Sequence, residues 1–122
     1  MPAVLVVEDD ADARRLIQRW LDQEGYRVDE VCDAESALEQ LGRGSYDLVV
    51  LDVVLPGMDG YELARRLRSQ ATHAPPVLLC SIIEADDIPA EFSDSPWLAK
   101  PFARGELVNA VRTALAREDC NA

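Results

Sequence analysis

Four carboxylates and one ammonium stand directly behind hydrophobic runs. Glu8, Asp9 and Asp10 follow Val4 to Val7, Asp52 follows Leu48 to Leu51, and Lys100 follows Pro96 to Ala99 and precedes Pro101. Taken alone, each has an ordinary explanation. An acid that closes an apolar strand is commonly a turn former, the favoured reading of Asp52 without its neighbours. Acids ahead of a helix are stabilised by its positive end, which accounts for Asp10 and equally for Glu8 or Asp9. A strand-end serine such as Ser81 is usually a turn former too, and a lone lysine is usually solvated. Grouping changes the chemistry. Neighbouring carboxylates repel unless protonated or bridged by a cation, and oxygen ligands completed by water suit Mg²⁺ (or Mn²⁺) better than Zn²⁺. With Ser81 adding a hydroxyl and Lys100 an ammonium, such a group stabilises the charge of three phosphoryl oxygens while one carboxylate acts as nucleophile.

The elements that would gather these residues are legible in the pattern. Hydrophobic runs alternate with helix-period segments five times, the signature of βα units and of a parallel sheet covered on both faces. The expected strands are Ala3 to Val7, Tyr26 to Val31, Asp47 to Leu51, Pro76 to Cys80 and Pro96 to Ala99. The first is almost wholly apolar, as a central strand should be, and the second alternates with charge, as one nearer an edge should. A first helix is expected over Ala11 to Glu24, with Leu16, Ile17, Trp20 and Leu21 on one stripe and Gly25 as a left-handed C-cap. Asp33 caps a second helix carrying Ala37, Leu38 and Leu41. Asp59 caps a third extending through Arg68, with Glu62 spaced for a capping box. Leu107, Val108, Val111 and Leu115 mark a last helix with a weak start, because Ala103 is a poor cap and Gly105 costs up to about 1 kcal/mol against alanine. Between Ile82 and Ser95 the helical period fails, and Pro89 and Pro96 leave room only for a short or frayed fourth helix. Ligands of open α/β sheets bind outside the carboxyl ends of the strands, where the strand order reverses. Setting the first and third strands side by side there joins Glu8, Asp9 and Asp52.

At 122 residues and 13.5 kDa the chain is the size of one domain, so a single domain without an output module is expected. A net charge of −11 would repel a phosphate backbone and argues against direct nucleic-acid binding. No apolar run approaches a membrane span and no signal segment opens the chain, so a cytoplasmic protein is expected. Cys32, Cys80 and Cys120 have neither metal-ligand spacing nor an even count, and Cys80 reads as a buried strand residue. Trp20 and Tyr61 sit at core spacings. Arg14, Arg15, Arg65, Arg66 and Arg68 read as solvated helix faces, and His73 is given no role.

Three segments carry a resemblance: Val4-Leu-Val-Val-Glu-Asp-Asp10, Leu51-Asp-Val-Val-Leu-Pro-Gly-Met-Asp-Gly60 and Leu98-Ala-Lys-Pro-Phe102. Together they resemble the signatures of two-component response regulator receiver domains, over essentially the whole chain. The resemblance implies a flavodoxin-like, doubly wound five-stranded parallel sheet of order 2-1-3-4-5 with helices on both faces. It implies Asp52 as phosphoacceptor, and Mg²⁺ held by Glu8, Asp9, Asp52 and the main-chain carbonyl of Val54. Ser81 matches the switch hydroxyl, Trp97 the switch aromatic and Lys100 the phosphoryl-binding lysine. A cis Lys100-Pro101 bond is implied as well. So is a protein that catalyses its own phosphorylation and slow dephosphorylation rather than turning over a separate substrate. The implied partners are a sensor histidine kinase or histidine phosphotransfer protein as donor and a downstream protein target, for a monomer or weak homodimer. The first helix is the region the family uses to meet its donor. The chain also departs from the pattern. Ile82 stands where a small residue usually follows the switch hydroxyl, so Ile82 and Val54 are expected to modulate access to Asp52. The short stretch from Ser81 to Lys100 is similar to receivers with a reduced fourth helix.

Three other readings stand beside this one. A receiver-like interaction module could work independently of phosphorylation, as Ile82 and the broken helical segment suggest. A haloacid-dehalogenase-type phosphatase also uses a strand-end aspartate with Mg²⁺, but needs a second acid two residues on, where Val54 stands. A flavin mononucleotide site is weaker still, since Glu8, Asp9 and Asp10 would repel its phosphate at the first βα turn.

Overall fold

The computed structural model describes residues 2–55, 57–70, 75–81, 88–92 and 95–120, without the side chains of Gln70 and of residues 117–120. Five strands, β1 (Ala3–Val7), β2 (Arg27–Val31), β3 (Leu48–Asp52), β4 (Val77–Ser81) and β5 (Trp97–Ala99), form one parallel sheet in the order β2-β1-β3-β4-β5. Helices α1 (Ala11–Gln23), α2 (Ala34–Arg43), α3 (Gly60–Gln70) and α4 (Arg104–Cys120) alternate with them. The order reverses at β1 and β3, so the expected doubly wound sheet and its crevice are both present.

The two-residue period of a strand sorts the side chains onto two cores. Leu5, Val7, Val49, Leu51 and Leu79 pack with Ala37, Leu63 and Leu67 under α2 and α3. Val4, Val6, Leu48, Val50, Leu78 and Cys80 pack with Ile17, Leu21, Leu107 and Val111 under α1 and α4. Continuing each row past the strand end puts Glu8, Asp52 and Lys100 in line with the α1/α4 set. Ser81 and Trp97 fall in line with the α2/α3 set. Trp20 packs against the first of these layers and Tyr61 against the second, as their spacing predicted.

Caps fix where the helices begin and end. Asp10 accepts from the N–H groups of Asp12 and Ala13, and Asp33 accepts from Ser36 at 2.7 Å. Gly25 has a φ of 91° and its N–H donates to the carbonyl of Asp22, closing α1 as a left-handed residue after the helix. Asp59 accepts from the Glu62 N–H at 2.8 Å, but the Glu62 carboxylate turns to Arg65 and Arg66, so only half of the expected capping box forms. At α4 the reverse occurs. Ala103 has no side-chain acceptor, and the Glu106 carboxylate reaches back to its N–H at 2.9 Å, repairing the weak start.

Strand limits move by one residue for identifiable reasons. Pro76 and Pro96 lack N–H groups and stay outside β4 and β5, although their carbonyls accept from Val49 and Leu79 at 3.0 Å each. Tyr26 donates to the Leu21 carbonyl and belongs to the turn after α1. Asp47 stands just before β3, its carboxylate accepting the Ala3 N–H at 2.8 Å, while Asp52 is the last residue of β3.

Between β4 and β5 the only helical element among the described residues is a 3₁₀ turn, Ala90–Phe92. Ile82, singled out by sequence, lies outside the described residues. The turn is clasped to α3. Phe92 is buried, its ring stacked on Tyr61 at 5.3 Å, with the Arg68 guanidinium 4.4 Å from its centroid. Arg65 donates to Glu91 at 2.6 Å, and Arg68 donates to the Glu91 carbonyl and the Ser95 hydroxyl. Arg65 and Arg68 stay exposed, as the helix-face reading expects, and in addition bond to this turn, which a helix-face pattern alone does not show. Replacing Phe92 by alanine should lower the unfolding free energy by about 3–5 kcal/mol, as for a fully buried phenylalanine. Arg68→Ala should cost only about 0.5–1 kcal/mol, the scale of an exposed cation–π contact. Urea unfolding of both variants checks this order, and a Phe92→Ala midpoint equal to wild type would contradict the clasp.

Candidate functional site

The site begins with register. Val7 pairs with Leu51 across β1 and β3, so Glu8, one residue on, lies beside Asp52. Both side chains are buried, Glu8 at 3% and Asp52 at 7% exposure. Asp9 is exposed at the rim, and one carboxylate oxygen from each of the three lies within 4.8 Å of the others. Lys100 follows β5, two strands or roughly 10 Å from β3 across the sheet. Its N–H donates to the Ser81 carbonyl at 2.8 Å, which ties the start of the loop to β4. The long side chain then returns across the strand ends, where Nζ donates to Glu8 Oε2 at 2.6 Å and lies 3.3 Å from Asp52 Oδ2. The Lys100-Pro101 peptide is cis, as the resemblance implied.

Burial and charge set the titration of this group. Removal from water pushes the Glu8 carboxyl up from the usual 4.5 to about 7; Asp52 adds to the rise and the Lys100 hydrogen bond opposes it. For Lys100, burial alone would lower the ammonium's value, but the bond to Glu8 and the charge of Asp52 outweigh it and carry it above the ordinary lysine value. By count, one ammonium stands against three clustered carboxylates. That deficit, together with an all-oxygen donor set open at Asp9, fits a hard divalent cation held by Glu8, Asp9 and Asp52.

Backbone groups complete the pocket. The Val54 N–H donates to Asp52 Oδ1 at 3.1 Å, while its side chain is one of two exposed large hydrophobic residues among those described. Gly60 opens α3 with its N–H on the Val53 carbonyl at 2.7 Å, and a Cβ there would meet the Asp52 carbonyl oxygen at 2.5 Å. Only glycine lets α3 start this close to the strand end. Beside the carboxylates a groove of about 340 Å³ runs between α1 and the β5–α4 loop, with Leu16, Trp20, Lys100 and Phe102 in its walls.

Of the residues singled out by sequence, the structure brings together Glu8, Asp9, Asp52 and Lys100. Ser81 is buried and enters through its carbonyl. Trp97 pairs with Leu79 and packs in the α2/α3 layer, about 7 Å back from the strand end at Ala99. Its indole N–H is buried with no acceptor among the described residues. Arg14, expected to be solvated, instead donates to the Glu8 carbonyl at 3.0 Å and lies 3.8 Å from Glu30. Two signals went unused. Lys100 is the only lysine in the chain, the other basic residues being arginine, and Gly60 directly follows the cap Asp59.

Comparison with known proteins gives a consistent result. Residues 4–112 match the family described as response regulator receiver domain. The transcriptional regulatory protein TcrA of Mycobacterium tuberculosis is 40% identical over 116 residues, 93% of this chain and 46% of that protein. The transcriptional regulatory protein PcoR of Escherichia coli is 37% identical over 120 residues, 96% of this chain and 53% of that protein. The chain spans about half the length of the curated relatives it matches. Among solved structures, the receiver domain of Francisella response regulator 1452 superposes with a TM-score of 0.86 at 30% identity, over 97% of this chain and 99% of that one. Response regulator TrrA of Thermotoga maritima, solved in complex with Mg²⁺ and BeF, gives 0.84 at 30% identity, over 93% and 99%.

The raised Glu8 value carries a sign that can be checked in EDTA. A carboxyl that holds its proton more tightly when folded contributes stability that is fully present below its unfolded value of 4.5 and is lost as pH rises through about 7. The stability of wild type relative to Glu8→Gln, measured by urea unfolding, should therefore fall between about pH 5 and pH 8. A flat or rising difference would contradict the buried carboxyl.

Proposed function

Because the chain belongs to the response regulator receiver domain family, we propose that it accepts a phosphoryl group on Asp52 from a phosphohistidine of a sensor kinase or phosphotransfer protein and thereby switches its contacts with a downstream protein. The observation that carries this reading is the buried Asp52 carboxylate with the Lys100 ammonium 3.3 Å away and Glu8 and Asp9 beside it. Asp52 supplies the electron pair that bonds to phosphorus, and the imidazole of the donor leaves with the pair of the broken N–P bond. Val54 fixes the other Asp52 oxygen through its N–H, so the nucleophile presents one defined edge. Lys100 meets the negative charge of the phosphoryl oxygens, and Ser81, whose carbonyl accepts the Lys100 N–H in this structure, is proposed to turn its hydroxyl toward those oxygens once they are bound. A bound Mg²⁺ would supply further charge for those oxygens and relieve the repulsion among Glu8, Asp9 and Asp52.

The donor is proposed to approach over α1, where Leu16 is exposed beside the groove that leads to Lys100. Trp97 is the candidate relay on the opposite layer, because a buried indole N–H without an acceptor gains by moving to one. No helix among the described residues is long and apolar enough to cross a membrane. A phosphatase acting on a separate substrate lacks support, since Val54 stands where its general acid would be.

Incubation with Mg²⁺ and acetyl phosphate should add the mass of one phosphoryl group to the intact protein. Asp52→Asn and omission of the metal should each abolish the gain. A folded wild type that never gains mass, or an Asp52→Asn variant that gains it equally, would overturn the assignment.

A further inference from the structure

We propose that Arg14 is a positioning residue for the cation site, acting through the backbone carbonyl of Glu8. The inference rests on the reading that Glu8, Asp9 and Asp52 hold a divalent cation. Glu8 is fixed at four points. Its N–H donates to the Val31 carbonyl at 3.1 Å, Oε1 accepts from the Asp10 N–H at 3.3 Å, and Oε2 accepts from Lys100 at 2.6 Å. The fourth point is the carbonyl, which accepts from Arg14 Nη1 at 3.0 Å. That carbonyl belongs to the peptide joining Glu8 to Asp9, so the guanidinium sets the plane from which both candidate ligands project. Arg14 is itself well placed to hold it. Its own N–H donates to the Asp10 carbonyl at 2.9 Å within the first turn of α1, and its side chain is only 17% exposed. Glu30, the next-to-last residue of β2, lies 3.8 Å from Nε and steadies the guanidinium from the neighbouring strand.

A point charge and a positioning group make opposite demands on the metal. As a mere cation near the cluster, Arg14 repels a divalent ion, and its removal should tighten binding. As the group that aims the Glu8-Asp9 peptide, its removal should loosen binding by roughly tenfold or more, the usual effect of losing an outer-shell partner. Mn²⁺ binding, followed by the EPR signal of the free ion, separates the two without any reference to phosphorylation. Wild type, Arg14→Met, Arg14→Lys and Asp52→Asn are compared, with urea midpoints to establish that each is folded.

Weaker Mn²⁺ binding in Arg14→Met is the expected result, with a smaller loss in Arg14→Lys, which keeps the charge but not the forked donor. Unchanged or tighter binding in Arg14→Met overturns the proposal. If that variant does not fold, Arg14→Lys decides: weakened binding supports the positioning role and wild-type binding refutes it. Failure of the underlying reading looks different. Wild type would then show no saturable Mn²⁺ binding, or Asp52→Asn would bind as wild type does.

Discussion

A single half-buried ammonium holds two carboxylates that would otherwise drive each other apart, and the arrangement of the chain around that contact follows from the need to keep it in place. Lys100 reaches Glu8 and Asp52 from a strand that pairs with neither of theirs. The contact exists because the sheet is parallel and all five carboxyl ends open on one edge. The strand period then sends Glu8, Asp52 and Lys100 toward the same face. Had any of these strands slipped by one residue, its charged end would project into the opposite layer. The apolar rows beneath α1 and α4 therefore fix the electrostatics as well as the core.

The same contact leaves the site unfinished. Glu8 is raised to about 7 chiefly because burial disfavours its charge, with Asp52 adding to the rise and the Lys100 hydrogen bond opposing it. The donor set fits a hard divalent cation, and Asp9 at the rim is its solvent-exposed member. Around this unsatisfied centre the backbone is tightly specified. Gly60 sets α3 against the Asp52 carbonyl, Val54 holds one Asp52 oxygen, and Asp10 and Arg14 lock the turn that carries Glu8 and Asp9. Helix α3 in turn grips the 3₁₀ turn through Tyr61, Arg65 and Arg68, so the helix that starts beside Asp52 also anchors part of the β4–β5 connection.

The fold was legible wherever hydrophobic period and caps agree. Asp10, Asp33, Asp59 and Gly25 mark helix ends where they stand, and the apolar run before Glu8 identifies a central strand. The four charged residues of the site were legible for the same reason, since each closes an apolar run and a parallel sheet brings run ends together. What failed was anything decided by a distant partner. Arg14 and Arg68 have the spacing of exposed helix positions, and nothing local shows that a carbonyl or an aromatic ring will lie against them. Asp47 reads as a strand residue until the Ala3 N–H claims its carboxylate. Glu106 was visible at the third position of α4, but its reach back to Ala103 was overlooked. The lone lysine was the strongest unused signal: a chain that meets every other basic need with arginine keeps its one compact, titratable amine where two carboxylates meet.

That economy makes the Lys100 contact directly measurable. In protein labelled with ¹³C-lysine, Lys100 gives the only lysine side-chain resonance. This signal should titrate above the ordinary lysine value in metal-free buffer, and should shift on addition of Mg²⁺ with beryllofluoride in wild type but not in Asp52→Asn. A resonance that titrates like free lysine, and that ignores both the phosphoryl mimic and the loss of Asp52, would contradict that contact.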